Sequence, residues 1–279
     1  MERHNSVVIA VFSTSAGIGK TLTAINLAAG FAKEGYHTCL VDLDLQFGDI
    51  MSYLHIVSEV TLFDAQKAIL ENPEEFEVME YLTEYRWSNI AFAVLPPPHH
   101  IEEAYQINVD SVEQIIRRLS DFNFVILDLT SVFSALNLAM LDLSTVINYI
   151  GSIDFLPAIK NYRIGYDMLL RFEYEESKIR LIESRSTSQK FIHVEDVEKL
   201  LGGKFYHHLP NDFSSADKAI RMGRPLMFSA PFSDLNKSYQ RLVMRYIDRD
   251  DEKYKYSSSL SSRKGKLFSK FISKFKELT

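Results

Sequence analysis

The chain carries one cysteine and one tryptophan in 279 residues, and no apolar run of membrane-spanning length. A single cysteine, Cys39, excludes an intrachain disulfide and a cysteine-held metal cluster within one chain. Lying in a strand-like apolar run, it reads as a small core residue. A helix crossing a bilayer needs about 20 consecutive apolar residues, which no segment supplies. The start, Met1-Glu2-Arg3-His4-Asn5, lacks the basic-then-apolar pattern of a secretion signal, so an intracellular protein is expected. No internal repeat is visible. Excess positive charge is missing too: 31 basic against 37 acidic residues leave a net charge of −6. Such a balance opposes approach to DNA, and a DNA partner is not expected.

What is abundant is apolar surface. At 46% hydrophobic residues the chain can bury a large core. Strand-like runs alternate with helix-like runs, which predicts an α/β fold: a doubly wound, mostly parallel sheet with helices on both faces. The most informative segment is Thr14-Ser15-Ala16-Gly17-Ile18-Gly19-Lys20-Thr21. Before it, Val7, Val8, Ile9, Val11 and Phe12 predict a buried parallel strand. After it, Leu22, Ile25, Leu27, Ala28 and Phe31 recur at helical spacing, and Gly35 is placed to end that helix. Glycines at 17 and 19 let the backbone turn its N–H groups toward an anion. Lys20 is then aimed at β- and γ-phosphates, and the Thr21 hydroxyl at Mg²⁺. The helix adds its positive dipole end to the same place. A plain βα turn that happens to contain glycines is the competing reading, but it gives a lysine in the turn no packing role. Thr14 stands where the usual G-x-x-x-x-G-K-[ST] pattern has its first glycine.

Two further elements belong with such a loop. Thr38 to Val41 predicts the next strand, ending in Asp42-Leu43-Asp44, whose carboxylates at i and i+2 can approach a bound Mg²⁺ and an attacking water. Phe124-Val125-Ile126-Leu127-Asp128 is four apolar residues closed by an acid, the Walker B form, with Asp128 near the Mg²⁺. An acid at a strand end can also cap the following helix. Three phosphate-site elements in chain order favour the first reading.

With the loop, the Asp42-to-Asp49 segment and the later Leu209-Pro210-Asn211-Asp212, the chain resembles the MinD/ParA group of P-loop ATPases. Within it, the resemblance is to the branch holding MinD, the flagellar-number regulator FlhG and the pilus-assembly proteins TadZ and CpaE. It runs from about Ser6 to about Ile247 and includes Ala219-Ile220-Arg221-Met222-Gly223-Arg224-Pro225-Leu226. The resemblance implies a P-loop NTPase fold of the SIMIBI type. It also implies ATP and Mg²⁺ as cofactors, and a homodimer that closes around ATP and controls partner or membrane binding. Carried over, Lys20 and the loop residues Ala16, Gly17, Ile18, Gly19, Thr21 and Leu22 hold the nucleotide, with Ser184, Pro210 and Asp212 toward its base. Thr21, Asp42 and Asp128 serve the metal, and Asp44 positions the hydrolytic water.

The departures matter equally. The family loop reads Lys-Gly-Gly-x-Gly-Lys-Thr-Thr, and here it reads Ser15-Ala16-Gly17-Ile18-Gly19-Lys20-Thr21-Leu22. Ser15 replaces the lysine that relatives extend to the partner's phosphates, and Leu22 removes one hydroxyl. Ser184, in Leu181-Ile182-Glu183-Ser184-Arg185, replaces the asparagine that reads adenine. Losing a cation where negative charge develops predicts slow hydrolysis, with binding less affected. Irregular loops of this kind point toward the TadZ and CpaE side of the resemblance.

The far end is of opposite character. Residues 263–279 hold six basic residues and one acid, a net +5, so the preceding 262 residues carry −11. Leu267, Phe268, Phe271, Ile272, Phe275 and Leu278 fall on one arc of roughly 140° of a helix, opposite Lys266, Lys270 and Lys276. That is the composition of an interfacial membrane anchor, with Leu267, Phe268, Phe271, Ile272 and Phe275 as its lipid face. Packing back on the domain, or docking in a protein groove, are the alternatives. Ser257-Ser258-Ser259-Leu260-Ser261-Ser262 reads as a flexible tether. The expected organisation is an ATPase domain over residues 1–250, a linker over 251–262 and a basic amphipathic helix over 263–279.

Elsewhere the pattern predicts helices over Leu62–Leu70, Val109–Leu119, Phe155–Phe172, Val194–Leu201 and Phe213–Arg221. Strands are predicted over Ile90–Leu95, Thr145–Ile150 and Ile179–Ile182. His99-His100 and His207-His208 lack ligand spacing and are expected to be surface or loop residues. The acidic run Glu74 to Glu84 is expected to be a solvated helix face or, equally, a surface for a basic partner, with Tyr81, Tyr85 and Trp87 available to make a nearby surface adhesive. The function expected is a membrane-associated, ATP-dependent spatial regulator serving a pilus, secretion, flagellar or division machine. A pseudo-ATPase scaffold and a soluble P-loop metabolic enzyme are the alternatives.

Overall fold

A computed structural model describes residues 6–187 and 192–247. The amphipathic segment expected at 263–279, including Leu267, Phe268, Phe271, Ile272 and Phe275, and the serine-rich tether lie outside the described residues. One compact unit runs to Met244, and 245–279 is grouped separately.

Among the described residues, the chain alternates strand and helix as its apolar periodicity predicts. In order come β1 (Val7–Phe12), α1 (Lys20–Lys33), β2 (Thr38–Asp42), α2 (Ile50–Leu54), α3 (Leu62–Glu71), β3 (Thr83–Trp87) and β4 (Ile90–Leu95). Then follow α4 (Ile101–Ala104), α5 (Val109–Arg118), β5 (Phe124–Asp128), α6 (Ala135–Leu143), β6 (Val146–Gly151), α7 (Leu156–Arg171) and β7 (Ile179–Ser186). The last elements are α8 (Val194–Leu201), β8 (His207–Pro210), α9 (Phe213–Met222), α10 (Leu226–Ser229) and α11 (Asp234–Ile247).

The eight strands form one sheet in the order β3-β4-β2-β5-β1-β6-β7-β8. All neighbours pair in parallel except β3 with β4. β2 and β5 are buried at every residue, and β1 from Ile9 onward, which is why these strands read as continuous apolar runs rather than alternating ones. Helices close both faces. α1 is buried on every side from Thr23 to Phe31, Phe31 stacks on Phe124 with ring centroids 3.8 Å apart, and Gly35 ends the helix at φ +87°. Cys39 is buried in β2, as expected.

Three expectations need correction. The acidic run from Glu74 does not form a helix face: Val78–Tyr81 is a single 3₁₀ turn, and Thr83–Trp87 continues as the antiparallel edge strand β3. Only the centre of β3 points inward, so Tyr85 is buried against Phe92 and is not available to an adhesive surface. Trp87 stays exposed, with the Arg224 guanidinium 3.5 Å from its ring centroid. His207 is neither a surface nor a loop residue. It lies buried on β8, its Nε2 2.9 Å from the Ser238 carbonyl and hydroxyl. Its neighbour points to the opposite face, where His208 Nδ1 meets the buried Glu183 carboxylate at 2.5 Å.

A nucleotide-type loop at the carboxyl edge of the sheet

Parallel pairing brings the carboxyl ends of β1, β2, β5, β6, β7 and β8 to one edge, and the expected site residues gather there. The loop Thr14–Gly19 leaves β1 and enters α1, with Gly17 at φ +66° and Gly19 at φ +94°, backbone that side-chain-bearing residues avoid. Its carbonyls are tied from outside. Ser131 Oγ donates to the Ser15 carbonyl at 3.0 Å, Ser184 Oγ to Ile18 at 2.6 Å, and Thr23 Oγ1 to Gly19 at 2.8 Å. The Arg185 guanidinium donates to the Gly17 carbonyl. At the loop's start, Thr14 Oγ1 lies 2.7 Å from the Tyr149 hydroxyl and donates to the Asn161 carbonyl at 3.0 Å. A threonine thus takes the place of the missing glycine by fastening the loop to β6 and α7. At the other end, the amides of Lys20, Thr21 and Leu22 open α1 and have no partner within the helix. Carbonyls tied outward beside the opening amides of a helix are the arrangement by which helix starts receive anions.

The carboxylates meet through strand register. Asp42 pairs with Asp128 across β2 and β5, and Val11 pairs with Asp128 across β1 and β5. Both acids are buried. Asp42 uses its two oxygens locally, Oδ1 accepting from the Asp44 amide and Oδ2 from the Ile50 amide, each at 3.1 Å. It therefore shapes the 43–49 loop. Gly48 packs so closely that an added Cβ would lie 2.6 Å from Asp42 Oδ2 and 2.7 Å from Pro97 Cγ. Asp44 is half-buried at the loop's start and accepts from the Phe47 amide at 3.3 Å. Burial and the neighbouring Asp128 hold the Asp42 carboxyl well above the usual range.

The Thr21 side chain and the Lys20 ammonium favour the ionised form of Asp128, yet its Oδ1 is buried with no hydrogen-bond partner. Burial pushes its pKa up to about 7, opposed by Thr21 and Lys20 and helped by Asp44 and Asp49. Lys20 Nζ donates to Ser131 Oγ at 2.7 Å, and burial lowers its pKa against the pull of Asp128 and Asp44. An ammonium, a threonine hydroxyl and an under-coordinated carboxylate at one helix start fit a phosphate group with its divalent cation.

The remaining expected residues are spread along the same edge. Ala16 and Gly17 are exposed and Ile18 is buried. Pro210 ends β8 in register with Ser186, and the Asp212 carboxylate caps α9 by accepting from the Ser215 amide at 3.0 Å. Ser131 and Arg185 join the loop's surroundings without any motif that marks them in the sequence. Arg185 belongs to the Leu181-to-Arg185 segment that carries the family resemblance, whereas Ser131 reaches Lys20 only because β5 ends beside β1. A cavity of about 210 Å³ lies elsewhere, behind α1, lined among others by Asn26, Gly30, Tyr239 and Val243. Large apolar side chains stand exposed on the loop side of the sheet: Phe47 after β2, Val132 after β5, Phe155 and Leu156 after β6, and Phe213 after β8.

Comparisons with known proteins agree with this geometry. The family model of the CobQ/CobB/MinD/ParA nucleotide binding domain matches residues 9–226. A protein of Chlorella vulgaris described as a septum site-determining protein MinD is 22% identical over 272 residues, covering 94% of this chain and 91% of that protein. The crystal structure of a ParA family ATPase from Chlorobium tepidum superposes with a TM-score of 0.78 at 21% identity, over 86% of this chain and 99% of that one. The MinD of Pyrococcus horikoshii, solved with Mg-ADP, gives 0.74 at 16% identity over 90% of this chain and all of that one. At such identities the structural likeness speaks for the fold.

Proposed function

We propose, from the premise that the chain belongs to the family of the CobQ/CobB/MinD/ParA nucleotide binding domain, that it is an ATP-dependent spatial switch. It binds ATP with Mg²⁺ at the carboxyl edge of the sheet, pairs with a second copy across that edge, and reaches an anionic membrane surface through residues 263–279. The observation that carries the reading is the convergence of Lys20, Thr21 and the partnerless Asp128 Oδ1 on a loop whose Ser15, Gly17, Ile18 and Gly19 carbonyls accept hydrogen bonds from outside it. Such a site accepts phosphate oxygens on one side and offers a carboxylate to a cation on the other.

In this reading Lys20 leaves Ser131 for the β- and γ-phosphate oxygens, and the Ala16–Leu22 backbone cradles the phosphates. Thr21, Asp42 and Asp128 hold the Mg²⁺ region; the cation supplies neutralisation of phosphate charge. Asp44 orients the attacking water. Ser15 contributes no cation, so turnover is slow or waits for a partner protein. The exposed Phe47, Val132, Phe155, Leu156 and Phe213 rim the nucleotide edge and supply apolar area for a second copy. Two tails on a dimer bind a surface far better than one, because the second contact is intramolecular. The output is the placing of a pilus, secretion, flagellar or division machine. A second reading, a scaffold that holds nucleotide without turnover, is favoured by Ser15 and by the Ser184 hydroxyl being held by the loop.

Sedimentation with anionic liposomes separates these. Full-length protein and a version ending at Ser262 are compared in Mg·ATP, Mg·ADP and no nucleotide. The switch predicts that only full-length protein pellets, and more of it with ATP. Pelleting that ignores nucleotide supports the scaffold, and failure of both versions to pellet removes the membrane claim.

A further inference from the structure

The pairing of β7 with β8 slips between Glu183 and Ser186, so Ser184 and Arg185 sit in an irregular stretch of an otherwise regular parallel ladder. Arg185 adopts φ +58°, a left-handed conformation that a non-glycine residue takes only when its surroundings impose it. The stretch is pinned on both sides. The buried Glu183 carboxylate holds His208 Nδ1 at 2.5 Å, and the Ser186 carbonyl accepts from the Asn211 amide at 2.8 Å. Bulges of this kind re-aim side chains. Here they aim two neighbouring donors at two neighbouring carbonyls of the phosphate loop. Ser184, 7% exposed, donates to Ile18 at 2.6 Å, and Arg185 donates to Gly17, itself left-handed.

We infer that Ser184 and Arg185 are positioning residues that brace the phosphate loop from outside. They fix its amide face for phosphate whatever purine the phosphates carry. The inference rests on the loop being the phosphate site, and it assigns Ser184 a task different from base reading. A hydroxyl donating its only proton to the Ile18 carbonyl has no donor left for a base. The brace also supplies a second cation close to a loop in which Ser15 supplies none. Strain in the β7–β8 slip is held by Glu183–His208 and Ser186–Asn211, so loop geometry is set before any ligand arrives.

The test uses full-length protein, fluorescent ATP and GTP analogues with Mg²⁺, and hydrogen–deuterium exchange of residues 14–20 without nucleotide. Losing one such hydrogen bond in Ser184→Ala should weaken both nucleotides alike, by roughly 3- to 10-fold, and speed loop exchange by a similar factor. Arg185→Gln should do the same, and Ser184→Thr, which keeps the donor, should restore both. A loss confined to ATP would show that Ser184 reads the base and overturn the brace, as would unchanged loop exchange in both variants. Absence of nucleotide binding by the unmodified protein would count against the phosphate-site reading. The exchange rates of the nucleotide-free protein decide the brace separately.

Discussion

The two edges of the β-sheet treat a buried charge in opposite ways. At the amino edge, just before β7, Lys178 is tucked under α6. Its ammonium donates to the carbonyls of Leu141 at 2.7 Å and Asp142 at 3.2 Å, where a helix end needs a cation, and the Asp142 carboxyl takes the Tyr174 hydroxyl at 2.7 Å. At the carboxyl edge, Asp128 is buried more deeply than Lys178 and leaves Oδ1 without a partner. Burial dominates both, pushing Lys178 down to about 8 and Asp128 up to about 7. The amino-edge charge completes the fold. The carboxyl-edge charge is a deficit that the fold tolerates, and such deficits collect where a ligand is received. Glycines divide the same way. Gly35 and Gly202 have open space where a Cβ would stand and serve only left-handed helix ends, whereas Gly48 exists to let the loop close over Asp42.

The largest effect expected is on binding. Lys20→Met should weaken Mg·ATP affinity by about 100-fold, the size of losing charge-assisted hydrogen bonds to two phosphates. Lys178→Met at the other edge should leave that affinity unchanged; calorimetric titration of both variants checks the pair. Next comes Gly48→Ala, whose Cβ meets Asp42 and Pro97. It should cost about 2–3 kcal/mol of stability and disturb the 43–49 loop. Gly35→Ala, strained but unobstructed, should cost only about 1 kcal/mol, and urea unfolding of the two would break the comparison if the costs were equal.

The two charges also predict opposite pH slopes. For Asp128 the folded pKa, about 7, lies above the unfolded 3.8, so the folded chain binds more protons in between and loses this contribution as pH rises from about 4 to 7. Asp128→Asn should therefore stabilise nucleotide-free protein by about 1–2 kcal/mol at pH 8, a gain that fades below pH 7. For Lys178 the folded pKa, about 8, lies below the unfolded 10.5, so the unfolded chain binds more protons and stability from this group rises from about pH 8 to 10.5. In Lys178→Met that rise should vanish, and loss of the helix-end bonds should cost about 1 kcal/mol at pH 7. Thermal melts across pH measure both; slopes of the same sign would dissolve the contrast.

Much of this was legible from residues alone, because it is local. β1, the glycine loop and α1 follow from a continuous apolar run, left-handed glycines and helical spacing, and Phe124–Asp128 announced a buried strand ending in an acid. The rest depends on neighbours distant in sequence. β3 buries only its central Tyr85, and its five residues lie among acids, so no period of 2 stands out. α6, Ala-Leu-Asn-Leu-Ala-Met-Leu-Asp-Leu, is apolar on several sides and shows little amphipathic period. By polarity alone His207 reads as a surface residue, whereas in the fold it is buried against Ser238 on α11. The Ser184–Arg185 slip exists only when β7 meets β8, so no spacing rule could reveal it.

Hydrogen–deuterium exchange with and without Mg·ATP on full-length protein tests the central claim most directly, since it reads both edges at once. The account predicts protection of residues 14–22, 43–50 and 129–134, with no change around 174–178 or in the turn at Gly35. Protection confined to the amino edge or to the cavity behind α1, or none at saturating nucleotide, would contradict it.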